Sequence, residues 1–344
     1  MKIFMPSRIL DRHVGGNTTY ARRLAEGLIE AGHSIARIPA ANKFRPMTMA
    51  YETAVGLSKG QPEEILHFVA DTGPLLPTRR PSVVTVHGVA SRWISTARSS
   101  IADRAWRARV TRAIRSTDHV LTVSQSSADD VSEVFGISQQ NLTVIPHGID
   151  VEKFSTPTPL SDELRAKLPD QFVLYLGNIE PRKNLLSLVR AFETPEIQSL
   201  NLPLVIAGKQ AWDYQDTMAA IEAAPNVIHL GFVSDQERTA LMQNCSLFVF
   251  PSLYEGFGFP VLEALAAGAV VAASSRGSLA EVAGPSIGLE ELTVEGLAAG
   301  LEAALNDQQR REVCLRQGRR WAQRFSWDES VSSHIRAYER VMNL

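Results

Sequence analysis

The stretch YEGFGFPVLEALAAG at residues 254–268 decides the fold of this 344-residue chain. It follows the apolar run SLFVFP at residues 246–251, which has the length and the Phe and Val content of a buried strand. Two glycines, Gly256 and Gly258, then interrupt the apolar pattern. Pro260 suits the first turn of a helix because its φ angle is already helical. The stretch therefore predicts a buried strand, a glycine-rich loop and a helix in immediate succession.

The same stretch places two carboxylates, Glu255 and Glu263, on either side of the glycine loop. Glycines let a ligand approach the backbone, and the free N–H groups of a helix start favour an anion. Carboxylates accept hydrogen bonds from paired hydroxyls, so the combination indicates a ligand that is part sugar and part phosphate. The alternative is a plain strand-to-helix turn in which Glu263 complements the helix dipole. A dinucleotide fingerprint is disfavoured because Val261 stands where its third glycine belongs.

Length and composition indicate two globular domains. The chain is 44% hydrophobic and 21% charged, values that are typical of a soluble protein with sizeable cores. Cys245 and Cys314 have no metal-binding or redox spacing, which predicts reduced thiols. No apolar run is long enough to span a membrane, and the first residues lack the apolar core of a signal peptide. We therefore expect a cytoplasmic location.

The charge is distributed unevenly along the chain. Residues 1–160 carry 19 Lys and Arg against 14 Asp and Glu, whereas residues 161–344 carry 16 against 23. The basic half is expected to meet an anionic lipid or acceptor. Residues 92–115 hold seven Arg and one acid, Asp103, a pattern compatible with peripheral contact with an anionic membrane. The alternative is a core helix, whose apolar stripe would be Ile94, Ala97, Ile101, Ala105 and Ala108.

Strand and helix patterns alternate along the whole chain, which predicts α/β domains with parallel sheets covered on both faces. In the loop HVGGNTT at residues 13–19, Gly15 and Gly16 precede a predicted helix that begins at Asn17, which makes a second anion-ready helix start. His87 closes the apolar run VVTVHG, at the strand end where such folds bind ligands. On these residues alone, a plain turn and a structural histidine are the alternatives.

The second half repeats the pattern after residues 155–169, a linker rich in Pro, Ser and Thr. Its first strand is followed by NIEPRKN at residues 178–184, where Arg182 and Lys183 stand side by side. A guanidinium offers a planar fork and an ammonium a point charge, so the two cations suit a diphosphate. A solvated charge pair is the alternative. Further along, residues 231–233 form a predicted turn that would lie under a nucleobase.

These features, in this order, resemble glycosyltransferase family 4. The resemblance runs nearly end to end, and the string EGFGFPVLEALAAG is highly specific. It implies the GT-B architecture, in which two Rossmann-like parallel-sheet domains face each other across a cleft. We expect an acceptor-binding domain over residues 1–165, joined by the C-terminal helix 328–344, and a nucleotide-sugar-binding domain over residues 166–327. The combination of EPRKN with YEGFGFPVLE is most similar to bacterial GDP-mannose-dependent α-mannosyltransferases of polysaccharide biosynthesis.

The resemblance also implies roles for individual residues. Glu255 would hold sugar hydroxyls near the reacting carbon, and Glu263 would bind the ribose hydroxyls. Arg182 and Lys183 would neutralise the leaving diphosphate, and His87 would contact the transferred sugar and the acceptor. The implied catalytic residues are His87, Lys183 and Glu255. The implied donor-binding residues are Gly15, Gly16, Arg182, Lys183, Gly231, Val233, Glu255, Gly256, Phe257, Gly258, Phe259 and Glu263.

Two positions depart from the family pattern. Many members carry Arg directly after Gly177, where this chain has Asn178, so Arg182 is expected to compensate for a missing phosphate-binding cation. The segment GPSIGLEEL, which begins at Gly284, is short, which predicts a trimmed loop near the donor.

The implied reaction is transfer of a hexose, best predicted as mannose from GDP-mannose, to an acceptor hydroxyl with retention. No Asp-x-Asp occurs in the sequence, so no metal is expected to bridge the diphosphate, and no cofactor is implied. The expected partners are a nucleotide-sugar donor and a glycan or lipid-linked acceptor, with no nucleic acid and with membrane contact confined to the Arg-rich segment 92–115. The alternatives are a UDP-sugar-dependent transferase of the same family, a sugar-nucleotide epimerase, and a non-catalytic sugar-nucleotide-binding partner.

Overall fold

A computed structural model describes residues 1–12, 15–41, 44–94 and 100–343. The packing of the backbone divides the chain into two compact units. Unit 1 comprises Met1–Gly148 and Phe325–Leu344, and unit 2 comprises Ile149–Arg324. Each unit is built on a parallel sheet with helices around it, so the predicted α/β architecture with two Rossmann-like domains is confirmed.

The sheet of unit 1 has six strands among the described residues, and its strand order is β2-β1-β3-β4-β5-β6. Neighbouring residues of one strand point to opposite faces, and both faces are buried. Ile65 and Val83 pack in the core on one face, while Leu66 and Val84 pack in the core on the other. The near-continuous apolar runs in the sequence follow from this two-sided burial. The strands are β1 Lys2–Pro6, β2 Ser34–Ile38, β3 Glu64–Phe68, β4 Ser82–Val86, β5 His119–Thr122 and β6 Leu142–Val144.

The helices of unit 1 cover both faces of this sheet. The last helix of the chain, α17, packs on α2, where Val331 lies so close to Gly27 that a Cβ on this glycine would be 2.5 Å from the valine. A Ser326 N-cap starts α17. The helices are α1 Ser7–Leu10, α2 Gly16–Glu30, α3 Arg45–Leu57, α4 Ala90–Trp93, α5 Ser100–Ser116, α6 Gln125–Phe135 and α17 Trp327–Met342, with a short 3-10 helix at Gln139–Asn141.

The sheet of unit 2 also has six strands among the described residues, in the order β12-β11-β10-β7-β8-β9. Its order reverses beside β7, the first strand of the unit, and parallel sheets bind ligands at the carboxyl ends of strands at such a point. Strand β12 was not predicted from the sequence, because it is only three residues long and contains Gly288. The strands are β7 Val173–Leu176, β8 Leu204–Ala207, β9 Val227–Gly231, β10 Leu247–Phe250, β11 Val271–Ser274 and β12 Ile287–Leu289.

The organising stretch forms the predicted strand, loop and helix. The helix α13 begins at Phe259 with Pro260 in its first turn, and glycines in the left-handed region bound it, Gly258 with φ 102° and Gly268 with φ 85°. The helices of unit 2 are α7 Val151–Ser155, α8 Asp162–Lys167, α9 Leu185–Ala191, α10 Pro195–Gln198, α11 Gln215–Ala223, α12 Asp235–Asn244, α13 Phe259–Ala267, α14 Leu279–Val282, α15 Val294–Asn306 and α16 Gln308–Ala322, with a short 3-10 helix at Pro181–Lys183.

The segment 149–165, which the sequence analysis assigned to the first domain, packs within unit 2. Its helix α7 lies against α13. The Gln243 side-chain amide of α12 donates to the carbonyl oxygens of Phe154 at 2.7 Å and Thr156 at 2.8 Å. These contacts place the boundary between the units at Gly148 instead of residue 165. The second boundary lies at Arg324 instead of residue 327.

The Arg-rich segment 92–115 contains α5, and residues 95–99 lie outside the described residues. The predicted core stripe is wrong for the described part of this helix, because Ile101, Ala105 and Ala108 are exposed. The core face of α5 consists of Val110, Ala113 and Ile114, preceded by the half-buried Trp106. At 100° per residue the predicted stripe and the observed core face lie on opposite sides of the same helix, so α5 carries two apolar stripes and packing on the sheet buries the second. Within the described residues, no helix has both the length and the apolar character needed to cross a membrane.

Candidate functional site

The site forms where β7 and β10 lie side by side in the sheet of unit 2. The loop after β7 carries Arg182 and Lys183, and the loop after β10 carries Glu255. The Lys183 ammonium donates to Oε1 of Glu255 at 2.5 Å, and Arg182 Nη1 lies 2.7 Å from Oε2 of the same carboxylate. Glu255 is 7% exposed, and so is Lys183. The predicted alternative of a solvated charge pair is therefore wrong for Lys183, which is buried and paired.

Arg182 joins the two loops through further contacts. Its Nη2 donates to Glu180 Oε1 at 2.5 Å, and its Nη1 donates to the carbonyl oxygen of Tyr254 at 2.8 Å. In return, the backbone N–H of Leu253 donates to the carbonyl oxygen of Arg182 at 2.9 Å. Two carboxylates and two cations thus share one buried network, so their formal charges cancel in the absence of a ligand.

The network sets the protonation states of its members. Burial acts to raise the pKa of Glu255, but Arg182 and Lys183 lower it to about 2. Burial and the charge of Arg182 lower the pKa of the Lys183 ammonium, against the attraction of Glu255. Although burial acts to lower it, Glu255 and Glu180 raise the pKa of the Arg182 guanidinium. Glu255 is therefore ionised at neutral pH, with a cation beside each of its oxygens.

Lys183 has donor capacity beyond this ion pair. An ammonium group has three donors, and the hydrogen bonds found within the described residues use one of them, toward Glu255. The ammonium also lies 4.7 Å from the centre of the Phe250 ring, a cation–π contact that holds it at the end of β10. A fixed, partly committed cation of this kind can stabilise negative charge on a leaving phosphate without reorganising.

A third loop, after β11, supports the backbone around Glu255. The Ser278 hydroxyl donates to the carbonyl oxygens of Glu255 at 3.0 Å and Phe257 at 2.7 Å. Gly277 has φ 60°, and a Cβ there would lie 2.6 Å from the carbonyl oxygen of Glu255. Ser278 and Gly277 were not predicted as site residues. The signal was the small-residue run SSRGS at 274–278 directly after a predicted strand.

Glu263 is buried on α13 but does not join the network of Glu255. Its Oε2 lies 3.0 Å from Arg238 Nη1 on α12. Burial raises the pKa of Glu263, and the charge of Arg238 opposes this rise. Arg238 is the only basic residue in the α12 sequence DQERTALMQN, and it was not predicted as a site residue because pairing between two helices leaves no local signal. The two carboxylates that flank the glycine loop thus have separate partners.

The predicted nucleobase turn lies at the end of β9, where Gly231 has φ 70° and Val233 is half-buried. Phe232 is exposed between them, and the Lys209 ammonium lies 4.0 Å from its ring centre. The backbones of Gly208 and Gly177 approach each other closely beside this turn. A Cβ on Gly208 would lie 1.8 Å from the carbonyl oxygen of Gly177. An exposed aromatic ring beside closely spaced backbone groups is chemically suited to stacking on a base.

The predicted site residues of unit 1 are His87, Gly15 and Gly16. The ring Nε2 of His87 lies 2.9 Å from the carbonyl oxygen of Val69, and its backbone N–H donates to Asp71 Oδ1 at 2.9 Å. Gly15 has φ 131° at the N-cap of α2, which begins at Gly16, one residue before the predicted start. Residues 13–14 of the predicted loop lie outside the described residues. The roles of these three residues toward a donor or an acceptor stay predictions.

A buried cluster that the sequence analysis did not predict surrounds Tyr20 in unit 1. The Tyr20 hydroxyl lies 2.8 Å from His334 Nε2 and 3.0 Å from Thr85 Oγ1. His67 bridges Thr85 at 2.7 Å and the Tyr338 hydroxyl at 2.7 Å. Because His334 and Tyr338 belong to α17, these hydrogen bonds attach the C-terminal helix to the remainder of unit 1.

Asn178 stands at the position where many family members carry Arg. Its backbone carbonyl oxygen accepts a hydrogen bond from the Tyr175 hydroxyl at 3.1 Å. Arg182, which was expected to compensate, is held by Glu180 and Glu255. Within the described ranges, no group of three or more His, Cys, Asp or Glu side chains is arranged to hold a metal ion.

Two family descriptions match the chain. Residues 159–321 match Glycosyl transferases group 1, and residues 59–153 match Glycosyltransferase Family 4. The first match contains the charged network, and the second contains His87. The resemblance inferred from the sequence is confirmed.

Named relatives include two mannosyltransferases of Escherichia coli. O-antigen chain mannosyltransferase B is 32% identical over 173 residues, which are 49% of this chain and 45% of that protein. The serotype-specific mannosyltransferase WbdA is 30% identical over 240 residues, which are 65% of this chain and 29% of that protein. The chain therefore spans less than half the length of both relatives.

Solved structures share the fold at lower identity. Sucrose-phosphate synthase from Thermosynechococcus elongatus has a TM-score of 0.78 at 18% identity, and the alignment covers 99% of each chain. Anabaena HepE in complex with UDP and glucose has a TM-score of 0.70 at 18% identity, with 98% of this chain and 99% of that chain covered. At these identities the likeness establishes the fold alone.

Proposed function

The chain belongs to the glycosyltransferases of the GT-B type, and from this premise we propose that it transfers a hexose from a nucleoside diphosphate to an acceptor hydroxyl with retention of configuration. The observation that carries the proposal is the buried network of Arg182, Lys183 and Glu255 at the carboxyl ends of β7 and β10. It combines cations for a diphosphate with a carboxylate for sugar hydroxyls at the position where parallel sheets bind ligands.

In the proposed reaction the bond between the sugar C1 and the diphosphate oxygen breaks. The acceptor oxygen forms its bond to C1 from the same face, and its proton passes to the leaving phosphate. Lys183 and Arg182 stabilise the charge that develops on the diphosphate, because both cations are held in place before the reaction begins. Glu255 accepts hydrogen bonds from sugar hydroxyls, and the backbone N–H groups of residues 256–259 add fixed dipoles near the phosphate.

The proposed donor is GDP-mannose, and the proposed product is a glycan or lipid-linked glycan. The support is the identity to the two mannosyltransferases of Escherichia coli. A UDP-sugar is the second candidate, because Anabaena HepE was solved with UDP and glucose. We propose that the reaction uses no metal ion, since Arg182 and Lys183 already supply cationic charge in the loop after β7. We further propose that Gly15 and Gly16 approach the diphosphate and that His87 contacts the sugar and the acceptor.

The proposal is tested by nucleotide release. The protein is incubated with GDP-mannose or with UDP-glucose, with and without a mannose-terminated lipid-linked oligosaccharide, and in the presence or absence of EDTA. We expect GDP release that depends on the acceptor and is insensitive to EDTA. NMR of the product should show the same anomeric configuration as in the donor. Release of UDP instead would select the second donor.

A matched pair of variants links the release to the site. Glu255→Gln removes the charge of the buried carboxylate, whereas Glu196→Gln makes the same change on an exposed residue of α10. We expect a rate loss of about 100-fold or more for the first and none for the second. Conversion of the donor without an acceptor would identify an epimerase, and binding without any turnover would identify a non-catalytic partner. Either result would contradict the proposed transfer.

A further inference from the structure

Glu263 is held in an arrangement that is unusual for a carboxylate in the first turns of a helix. It lies on α13, is 5% exposed, and has its Oε2 atom 3.0 Å from Arg238 Nη1. The guanidinium of Arg238 in turn lies 5.3 Å from the centre of the Phe154 ring on α7. Arg238 is therefore positioned between an aromatic ring and a buried carboxylate.

A second ion pair fixes the position of Arg238. Its Nη2 lies 3.6 Å from Asp235 Oδ1, and the other oxygen of Asp235 accepts a hydrogen bond from the Lys153 ammonium at 2.6 Å. Lys153 belongs to α7 and Asp235 to α12, so the three helices α7, α12 and α13 converge on this one chain of charges. The N-terminus of α12 is itself held by a capping box between Ser234 and Glu237.

The Arg238–Glu263 contact is electrostatic and leaves hydrogen-bonding capacity unused. The Oε2 atom of Glu263 and the Nε atom of Arg238 are buried, and neither has a hydrogen-bond partner in the described part of the chain. A buried polar atom without such a partner costs free energy, so a carboxylate kept in this state requires an explanation. Two adjacent hydroxyl groups of a bound ligand could donate the hydrogen bonds that the Glu263 carboxylate lacks.

We infer that Arg238 is a positioning residue that keeps Glu263 ionised and oriented to accept hydrogen bonds from the 2′- and 3′-hydroxyls of the donor's ribose. The inference rests on the proposed function, which supplies a nucleotide as the ligand. It adds that recognition of the ribose depends on a residue of α12 that does not itself contact the reacting sugar.

The charges around Glu263 explain why Arg238 is needed. Burial raises the pKa of Glu263, and Arg238 and Lys153 oppose that rise, while Asp235 adds to it. Among the described residues, the charges that act on this carboxylate are those of Arg238, Lys153 and Asp235, and the other elements packed on α13 add no further cation. Helix α16 contacts the later part of α13, with Gly318 against Leu265, and β11 has the uncharged sequence VAAS. Without Arg238 the pKa of Glu263 should rise further, and the protonated carboxyl would accept fewer hydrogen bonds.

The test measures nucleotide binding by calorimetry between pH 5.5 and pH 8.5. The ligands are GDP, UDP and their 2′,3′-dideoxy forms, and the variants are Arg238→Leu, Arg238→Gln and Arg238→Lys. For the better-bound base we expect the wild-type protein to prefer the ribose form about tenfold or more over the dideoxy form throughout this range. In Arg238→Leu that preference should be lost at low pH and return as the pH rises. The affinity for the dideoxy form should stay unchanged.

Two further variants exclude a purely structural effect. Arg238→Lys keeps the positive charge and should keep most of the preference at every pH. Arg310→Leu, which removes an exposed arginine of α16, should behave as wild type. Arg238→Gln carries the same expectation as Arg238→Leu and replaces it if the leucine variant does not fold, as judged by circular dichroism.

The outcomes separate the inference from the function on which it rests. If the wild-type protein binds neither GDP nor UDP, the proposed function fails and the inference fails with it. If it binds one of them without preferring the ribose form over the dideoxy form, Glu263 does not bind the ribose hydroxyls and the inference is overturned. The proposed glycosyl transfer is unaffected by that result. If the preference exists and the neutral variants keep it at every pH, Arg238 has no such role.

Discussion

Replacing Lys183 by Met removes one of the two cations that hold Glu255 and keeps an unbranched side chain against the Phe250 ring. We expect this single change to reduce both the stability and the activity, and a second change, Glu255→Gln, to cost no further stability while the activity stays low. The reason is that the fold requires a balance of charge in the buried network. The proposed reaction requires the charges themselves.

The expected magnitude follows from the pKa of Glu255. Its shift from the usual 4.5 to about 2 corresponds to about 3 kcal/mol of net stabilisation of the ionised form. Lys183→Met leaves Arg182 at 2.7 Å from the carboxylate, so we expect a loss of about 2 kcal/mol, below the 3–5 kcal/mol that is typical of a buried charge left alone. Glu255→Gln alone should cost a similar ~2 kcal/mol, because it leaves Lys183 buried without its partner. The double variant should lose about 2 kcal/mol instead of 4, a coupling of about 2 kcal/mol.

The assay is urea unfolding of the four proteins of this cycle at pH 7.5, followed by circular dichroism, alongside the rate of nucleotide release. The matched control is the exposed pair of Lys167 and Glu163 on α8, which are 2.6 Å apart and for which the same substitutions should show a coupling below about 0.5 kcal/mol. The release rate should fall about 100-fold or more in both single variants and stay low in the double variant. Additive losses of stability in the buried pair would refute the reasoning, and so would a double variant that regains activity.

Two further predictions concern the pH dependence of stability through His334 and the substitution Gly208→Ala. Burial lowers the pKa of His334 to about 4, whereas its pKa in the unfolded chain is 6.5. The stabilisation by the neutral, buried histidine is therefore complete above pH 6.5 and is lost as the pH falls toward about 4. At pH 5 this one histidine should lower the free energy of unfolding by about 2 kcal/mol relative to pH 7.5. Urea unfolding should therefore show that the stability difference between wild type and His334→Gln is smaller at pH 5 than at pH 7.5. The same stability difference at both pH values would contradict the buried, neutral state of His334. Gly208→Ala should cost about 3 kcal/mol or more, since its Cβ would lie 1.8 Å from the carbonyl oxygen of Gly177. Thermal unfolding compares this loss of stability with that of the control Gly300→Ala on α15, which should change stability by no more than about 1 kcal/mol. Equal melting temperatures for the two variants would show that Gly208 does not approach Gly177 so closely.

Several features of the molecule were predictable from local sequence because their causes are local. A run such as LFVF is buried on both faces of a sheet wherever it pairs, and Gly258, Pro260 and Gly268 are suited to a loop, a helix start and a helix end through their own backbone preferences. The strand and helix alternation therefore predicted two parallel-sheet units. The positions of the two charged loops at carboxyl ends of strands followed from the same alternation.

The phase of α5 and the boundary at Gly148 show where local reasoning stopped. Helix α5 carries apolar residues on two opposite faces, and nothing local decides whether Ile101 or Val110 lies on the face that packs against the sheet. The linker composition of residues 155–169 indicated a boundary, but packing of α7 on α13 decides which unit holds the segment. In both cases the deciding contact joins residues that are far apart in the chain.

The sequence by itself determined which residues carry the charges of the candidate site and on which loops they stand. Only the tertiary structure decided their partners: Lys183 and Arg182 share Glu255, and Arg238 meets Glu263 across two helices. The physical reason is that Coulomb energy depends on distances of a few ångström between side chains separated by tens of residues. Those distances are set by the placement of β10 beside β7 and of α12 beside α13, which arises when the whole sheet assembles.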